Sequence, residues 1–146
     1  ICRMAAEACL AAEPDPPVRL SLDERADAVR TDADRLRGVL VNLIANARDA
    51  VRAAASAGRE GTVTVATARS DAAVIIDVVD TGIGIDPAVA SQVFEPYFTT
   101  RRTGTGLGLA IARNIVEGLG GAIVLSSHPG VGTTVRITLP QETRQS

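Results

Sequence analysis

The sequence predicts an α/β chain, a two-layer α+β sandwich in which one mixed, mostly antiparallel sheet carries helices on one face. Three observations predict it. Thr62–Arg69 and Ala73–Asp80 alternate at a period of two and are joined by Ser70-Asp71, as an antiparallel pair should be. Ala122–Ser127 and Thr133–Leu139 repeat that arrangement around His128-Pro129-Gly130. Between Asp32 and Ser56 the apolar residues recur every three to four positions, which is helical spacing.

Taken in order, residues 1–12 place Ile1, Met4, Ala5, Ala8, Cys9 and Ala12 on one helical stripe, and Pro14-Asp15-Pro16-Pro17 breaks it. Val18–Leu22 and Ala28–Thr31 are expected strands around a charged turn. Asp32 can cap the long helix through its carboxylate, and Gly58 follows its last turn as a stop. Leu36, Val39, Leu40, Leu43, Ala47, Ala50, Val51 and Ala54 form the apolar stripe of that helix. A glycine-rich loop after Asp80 leads to a short helix at Pro87–Val93, and Glu95–Gly104 reads as irregular. A third helix spans about Gly106–Leu119 until Gly120-Gly121 stops it, and a polar tail follows Pro140.

Composition narrows the function. The 146 residues suffice for one core. A net charge of −2 gives no electrostatic basis for binding nucleic acid or an anionic membrane. Cys2 and Cys9, seven apart, fit no zinc spacing and read as two reduced thiols. No apolar run approaches the roughly 18 residues that a membrane helix needs. Because the chain opens on Ile1, we read it as a piece of a longer, cytoplasmic or membrane-anchored protein.

Three motifs carry chemistry. Asn42 and Asn46 stack on one edge of the helical stripe with Asp49 beside them, while Arg37, Arg48 and Arg52 are expected on the other, solvated side. Amide and carboxylate oxygens are hard ligands suited to magnesium, although the same residues can simply cap neighbouring loops. Asp80-Thr81-Gly82-Ile83-Gly84-Ile85 follows an apolar strand. Its carboxylate can accept a hydrogen bond from an exocyclic amine, and its glycines allow a sharp turn and close approach to a flat ring. A plain strand-to-loop turn can use the same residues. Gly104-Thr105-Gly106-Leu107-Gly108-Leu109 opens a helix, where free N–H groups and the positive dipole end suit phosphate; its two leucines also fit ordinary helix packing. With no strand before it and no Gly-Lys-Ser/Thr after it, this is neither a dinucleotide fingerprint nor a P-loop.

In this order the motifs resemble the ATPase superfamily shared by DNA gyrase, heat-shock chaperones, MutL and histidine kinases, whose sandwich is the Bergerat fold. Asn42–Ala50 looks like the histidine-kinase N box, Asp80–Ile85 the first glycine box, and Phe94–Thr100 the F box. Gly104–Leu109 looks like the second glycine box and Gly130–Thr133 the final glycine motif. The wording leans towards the nitrogen-regulation-like kinases. Only five residues separate Phe98 from Gly104, fewer than in many relatives.

The resemblance implies an ATP-binding catalytic domain over residues 1–140, with residues 141–146 as its tail. It implies ATP and Mg²⁺ as cofactors, with Asn46 and Asn42 holding the metal and Asp80, aided by Thr133, taking adenine. Gly82, Gly84 and Ile85 would shape the base pocket. Asp49, Phe98, Thr99, Thr100, Gly104, Thr105, Gly106, Leu107 and Gly108 would line the nucleotide, and Arg101 would meet the γ-phosphate. Hydrolytic members carry a Glu where this chain has Asn42, and an amide cannot serve as general base. That favours protein-histidine kinase over ATPase. His128 reads as a turn residue, so the acceptor is expected on an upstream helical hairpin that also engages a response regulator. The resemblance implies a homodimeric parent and a monomeric domain.

Overall fold

A computed structural model describes residues 18–21, 33–70, 73–90, 92 and 108–140. Its five strands are β1 (Val18–Ser21), β2 (Val63–Arg69), β3 (Ala73–Asp80), β4 (Ala122–His128) and β5 (Gly132–Pro140). They form one sheet in the order β1-β2-β3-β5-β4. β1 runs parallel to β2, and every other pairing is antiparallel. The helices are α1 (Ala33–Ser56), α2 (Pro87–Ala90) and α3 (Gly108–Gly118). The expected mixed, mostly antiparallel sheet is therefore present. The expected segments at 1–12 and 28–31 lie outside the described residues.

Alternation decides which face is covered. Val74, Ile76 and Val78 of β3 are buried, as are Val135, Ile137 and Leu139 of β5 and Val63 and Val65 of β2. Leu36, Leu40, Leu43, Ile44, Ala47 and Val51 of α1 join them, with Ala112, Val116 and Leu119 from α3 and its end. Completely burying one Leu or Ile side chain contributes about 1.5–3 kcal/mol, so this single shared layer is the main source of stability. β4 lies at the sheet edge and is only half covered along Ile123, Leu125 and Ser127.

α1 stops where the sequence directs. Gly58 takes the left-handed conformation at φ 86°. Its N–H donates to the Ala55 carbonyl at 2.9 Å, and the Arg59 N–H donates to Ala54 at 2.9 Å, which is a Schellman cap. That cap fixes where the Arg59 side chain starts. Asp86 caps α2 through its carboxylate, which accepts the Ala88 N–H at 2.9 Å. α2 spans Pro87–Ala90 and Gln92 lies in a turn, while residues 91 and 93 of the expected helix lie outside the described residues. Among the described residues no helix is long and apolar enough to cross a membrane.

Candidate functional site

At one end of the covered face the buried phase of three strands turns from apolar to polar. β3 runs Val74, Ile76, Val78 and then Asp80; β5 read backwards runs Leu139, Ile137, Val135 and then Thr133; β4 runs Ile123, Leu125 and then Ser127. The register sets Asp80 opposite Thr133, and Thr133 opposite Ser127. These three side chains thus form one polar row across three strands.

Asp80 is buried, with 6% of its surface exposed. Burial pushes its carboxyl above the ordinary carboxylate range, and backbone N–H donors at Gly82 and Thr133 pull the other way without cancelling the shift. The Gly82 N–H reaches Asp80 Oδ1 at 2.9 Å. No cationic side chain forms an ion pair with Asp80 among the described residues. A carboxylate with two oxygens offers about four acceptor positions, so two backbone donors leave room for an exocyclic amine.

The loop after Asp80 is held from every side. The Ile83 N–H donates to the Ala50 carbonyl of α1 at 3.2 Å, and the Ile83 carbonyl accepts from the Gly130 N–H at 2.8 Å. Ile85 N–H donates to Ser127 Oγ at 2.8 Å. Thr81 and Thr62 exchange bonds, with Thr62 N–H to Thr81 Oγ1 at 2.7 Å and Thr81 N–H to the Thr62 carbonyl at 3.0 Å. The Arg59 guanidinium spans the loop, donating to the Thr81 carbonyl at 2.8 Å and also to the Gly82 carbonyl.

The glycines have reasons inside the protein. A Cβ on Gly82 would lie 2.5 Å from the Ala50 carbonyl carbon. One on Gly84, where φ is 72°, would lie 2.1 Å from the His128 carbonyl oxygen. Close approach to a ring is therefore not needed to explain them; contact with α1 and with the β4–β5 turn suffices.

On α1, Asn42, Asn46 and Asp49 are half-buried. Asn46 lies one turn before Ala50, so the amide edge and the Asp80 loop are neighbours. Asp49 forms an ion pair with Arg52, Nη1 to Oδ1 at 3.3 Å. Two expectations about the arginines need correction. Arg52 was expected away from the amide edge, yet it reaches Asp49. Arg48 was expected on a solvated face, yet only 3% of it is exposed. The buried arc of α1 is wider than the apolar stripe suggested, because fully buried Ile44, about 40° around the axis from Arg48, extends it. Among the described residues, Arg48 Nε and Nη1 have no hydrogen-bond partner. Arg37 is half exposed, within 3.7 Å of Asp34.

Of the remaining expected site residues, Gly108 is the first residue of α3. Phe98, Thr99, Thr100, Arg101, Gly104, Thr105, Gly106 and Leu107 lie outside the described residues. Among the described residues no three His, Cys, Asp or Glu side chains cluster as metal ligands. His128, exposed, closes β4 at the turn and pairs with Gly132. Sequence reasoning missed Ser127 and Arg59. Ser127 was legible as the polar end of an inward phase; Arg59 carried no such mark.

Residues 31–143 match the family described as histidine kinase-, DNA gyrase B-, and HSP90-like ATPase. The chain is 44% identical over 129 residues to the sensor histidine kinase ZraS of Salmonella typhi, covering 88% of this chain and 26% of that protein. It spans about a quarter of the length of the curated relatives it matches. The catalytic domain of histidine kinase ThkA superposes with a TM-score of 0.81 at 27% identity, over 97% of this chain and 92% of that one. Full-length ShkA in complex with AMPPNP gives a TM-score of 0.72 at 25% identity, over 99% of this chain and 30% of that one. The five-stranded mixed sheet with its helices is the fold of those histidine-kinase catalytic domains.

Proposed function

Since this chain belongs to the histidine kinase-, DNA gyrase B-, and HSP90-like ATPase family, we propose that it is the ATP-binding catalytic domain of a sensor histidine kinase, donating the γ-phosphate of ATP to a histidine on a separate segment. The observation that carries this reading is Asp80. Among the described residues no cation meets this buried carboxylate, which is costly unless a ligand uses it, and its remaining acceptor positions suit the adenine amine. The complex of ShkA with AMPPNP, an ATP-like ligand, supports the choice of nucleotide.

Asn46 and Asn42 are the residues that would hold Mg²⁺. Their amide oxygens are hard donors, and a magnesium ion completes its shell from phosphate oxygens and water rather than from a protein cage. When bound, the ion neutralises phosphate charge. Asp49 lines the same edge, its charge balanced by Arg52. Gly82, Gly84 and Ile85 fix the base loop, and Thr133 assists Asp80. Phe98 to Thr100, Arg101 and Gly104 to Gly108 would complete the phosphate side. Asn42 occupies the place of the water-activating Glu of hydrolytic relatives, so the domain is suited to transfer rather than hydrolysis. The catalytic unit extends over residues 1–140.

The acceptor belongs on a helical hairpin of the parent protein, which would also dimerise and meet a response regulator in two-component signalling. His128, at a strand end, is not that acceptor. The test uses ATP labelled at the γ-phosphate with this chain alone, with the hairpin added, and with a hairpin lacking its histidine. Only the second mixture should be labelled, and slowly, because tethering normally supplies an effective concentration on the order of millimolar. Labelling of the chain alone, lost in His128→Gln, would reject the acceptor assignment. Rapid phosphate release that Asn42→Ala abolishes would make it an ATPase instead.

A further inference from the structure

Two successive peptides of the loop after Asp80 share one cation. The Arg59 guanidinium donates to the Thr81 carbonyl at 2.8 Å and to the Gly82 carbonyl, although Arg59 itself belongs to the cap of α1. A planar trans peptide points its N–H opposite to its C=O. The N–H of the first peptide, on Gly82, accordingly reaches Asp80 Oδ1 at 2.9 Å. The N–H of the second, on Ile83, reaches the Ala50 carbonyl at 3.2 Å. Arg59 and Asp80 are therefore the two ends of one line, cation to carbonyl and N–H to carboxylate, with a single peptide between them. A bond to the carbonyl polarises the peptide and makes its N–H a stronger donor. Turned over, the same peptide would set its carbonyl against the carboxylate, and Gly82 has no side chain to resist that turn.

No other charge is paired with Asp80 among the described residues. β2 sets Val63 opposite it and β5 sets Thr133, with Ser127 of β4 beyond. Asp49 on α1 is paired with Arg52, and Arg113 with Glu117 on α3. Glu60 ahead of β2, Asp86 after the loop and His128 at the end of β4 are exposed.

We propose that Arg59 is a positioning residue for the nucleotide site: through the Thr81–Gly82 peptide it holds the Gly82 N–H on Asp80 and favours the ionised carboxylate without touching it. This rests on the adenine reading of Asp80. An amine donates most strongly to an ionised carboxylate, so a cation one peptide away serves recognition while the remaining acceptor positions stay open. A direct ion pair would also favour the charge, but it would fill those positions, as Arg136 does at Asp77. Burial still outweighs the donors, so the Asp80 carboxyl stays above the ordinary carboxylate range. Loss of Arg59 should lift it further.

The test is a carbon NMR titration of the Asp80 carboxyl in the intact chain without nucleotide, for wild type, Arg59→Lys, Arg59→Gln and Arg59→Ala. Arg59→Lys keeps the charge without the fork, and Arg59→Gln keeps a donor without the charge. The midpoint should rise by roughly half a pH unit in Arg59→Gln and Arg59→Ala, the share that polarisation adds to a charged hydrogen bond. In Arg59→Lys it should stay near wild type. An unchanged midpoint in Arg59→Ala would overturn the proposal. So would equal rises in Arg59→Lys and Arg59→Gln, which would make Arg59 a structural clamp alone. In ATP titrations the loss of affinity towards low pH should begin correspondingly higher in Arg59→Gln. Weakening by one constant factor at every pH would also overturn the proposal. The adenine reading fails by a separate result, Asp80→Ala retaining wild-type ATP affinity, which leaves the nucleotide-free titration untouched.

Discussion

Asp77 and Asp80 stand three residues apart on the same strand and meet the same neighbour, β5, yet they do opposite things. Asp77 faces the open side of the sheet, directly across from Arg136. Its two oxygens take a forked pair of bonds from that guanidinium at 2.8 and 3.0 Å. Asp80 faces the covered side, opposite a threonine, and among the described residues it meets backbone donors and no cation. One carboxylate is satisfied by the fold. The other is kept partly unsatisfied at the cost of desolvation, and it is the one a ligand can use. Position on the pleat makes this difference, since three residues along a strand always change face.

The largest expected effect breaks the comparison at Asp80. Asp80→Ala should weaken ATP binding by roughly 1.5–3 kcal/mol, about ten- to a hundredfold, read by calorimetry. Unchanged affinity would make Asp80 as ordinary as Asp77. Gly82→Ala tests how the loop beside Asp80 is seated, because the added methyl would meet α1 backbone. It should cost roughly 1–3 kcal/mol of unfolding free energy in a denaturant titration, as overpacking does.

Arg59→Ala sharpens the same side of the contrast. Removing the guanidinium from the Thr81 and Gly82 carbonyls should lower ATP affinity about fivefold, near 1 kcal/mol, with Arg59→Lys between it and wild type. An affinity equal to wild type would show that the other loop bonds suffice.

Acidity tests Asp80 in a second way. Because burial raises the Asp80 pKa in the folded chain, the folded state holds that proton more tightly than the unfolded one. The associated stability is complete below the ordinary carboxylate pKa and is lost as pH rises through the raised value. Asp80→Asn should therefore gain stability over wild type across that window, seen in melts at a series of pH values. ATP affinity should fall as pH drops through the same window, because the ionised carboxylate is the better acceptor for the amine. A flat difference between the melts would contradict the burial argument. The smallest effect belongs to Asp77→Ala, which should leave ATP affinity unchanged in the same titration, since an exposed ion pair contributes little. A clear loss there would erase the contrast.

Much of this was legible in the sequence because it is periodic. The bounds of β3 followed from strict alternation, and the end of α1 from Gly58, where only a left-handed residue completes the cap. Asp80 was legible as a carboxylate ending an apolar strand. Arg48 was misread because a helical stripe drawn from chosen apolar residues understates how much of a central helix is covered. The Arg59 clamp was invisible, since its partners lie 22 and 23 residues away and meet it only after β2 and β3 pair. Ser127 was overlooked as a strand terminus, although its place after Ile123 and Leu125 marked it as inward.

The polar row also constrains how such a gene can change. The two faces of β3 are distinguished by parity alone, so one extra codon between Asp77 and Asp80 would turn Asp80 outwards while every original residue remained. The hairpin could still pair and the core would lose nothing by composition. Lineages should therefore tolerate many exchanges of one apolar residue for another in this strand, yet discard single-residue insertions and deletions within it. Length here is inherited as strictly as chemistry.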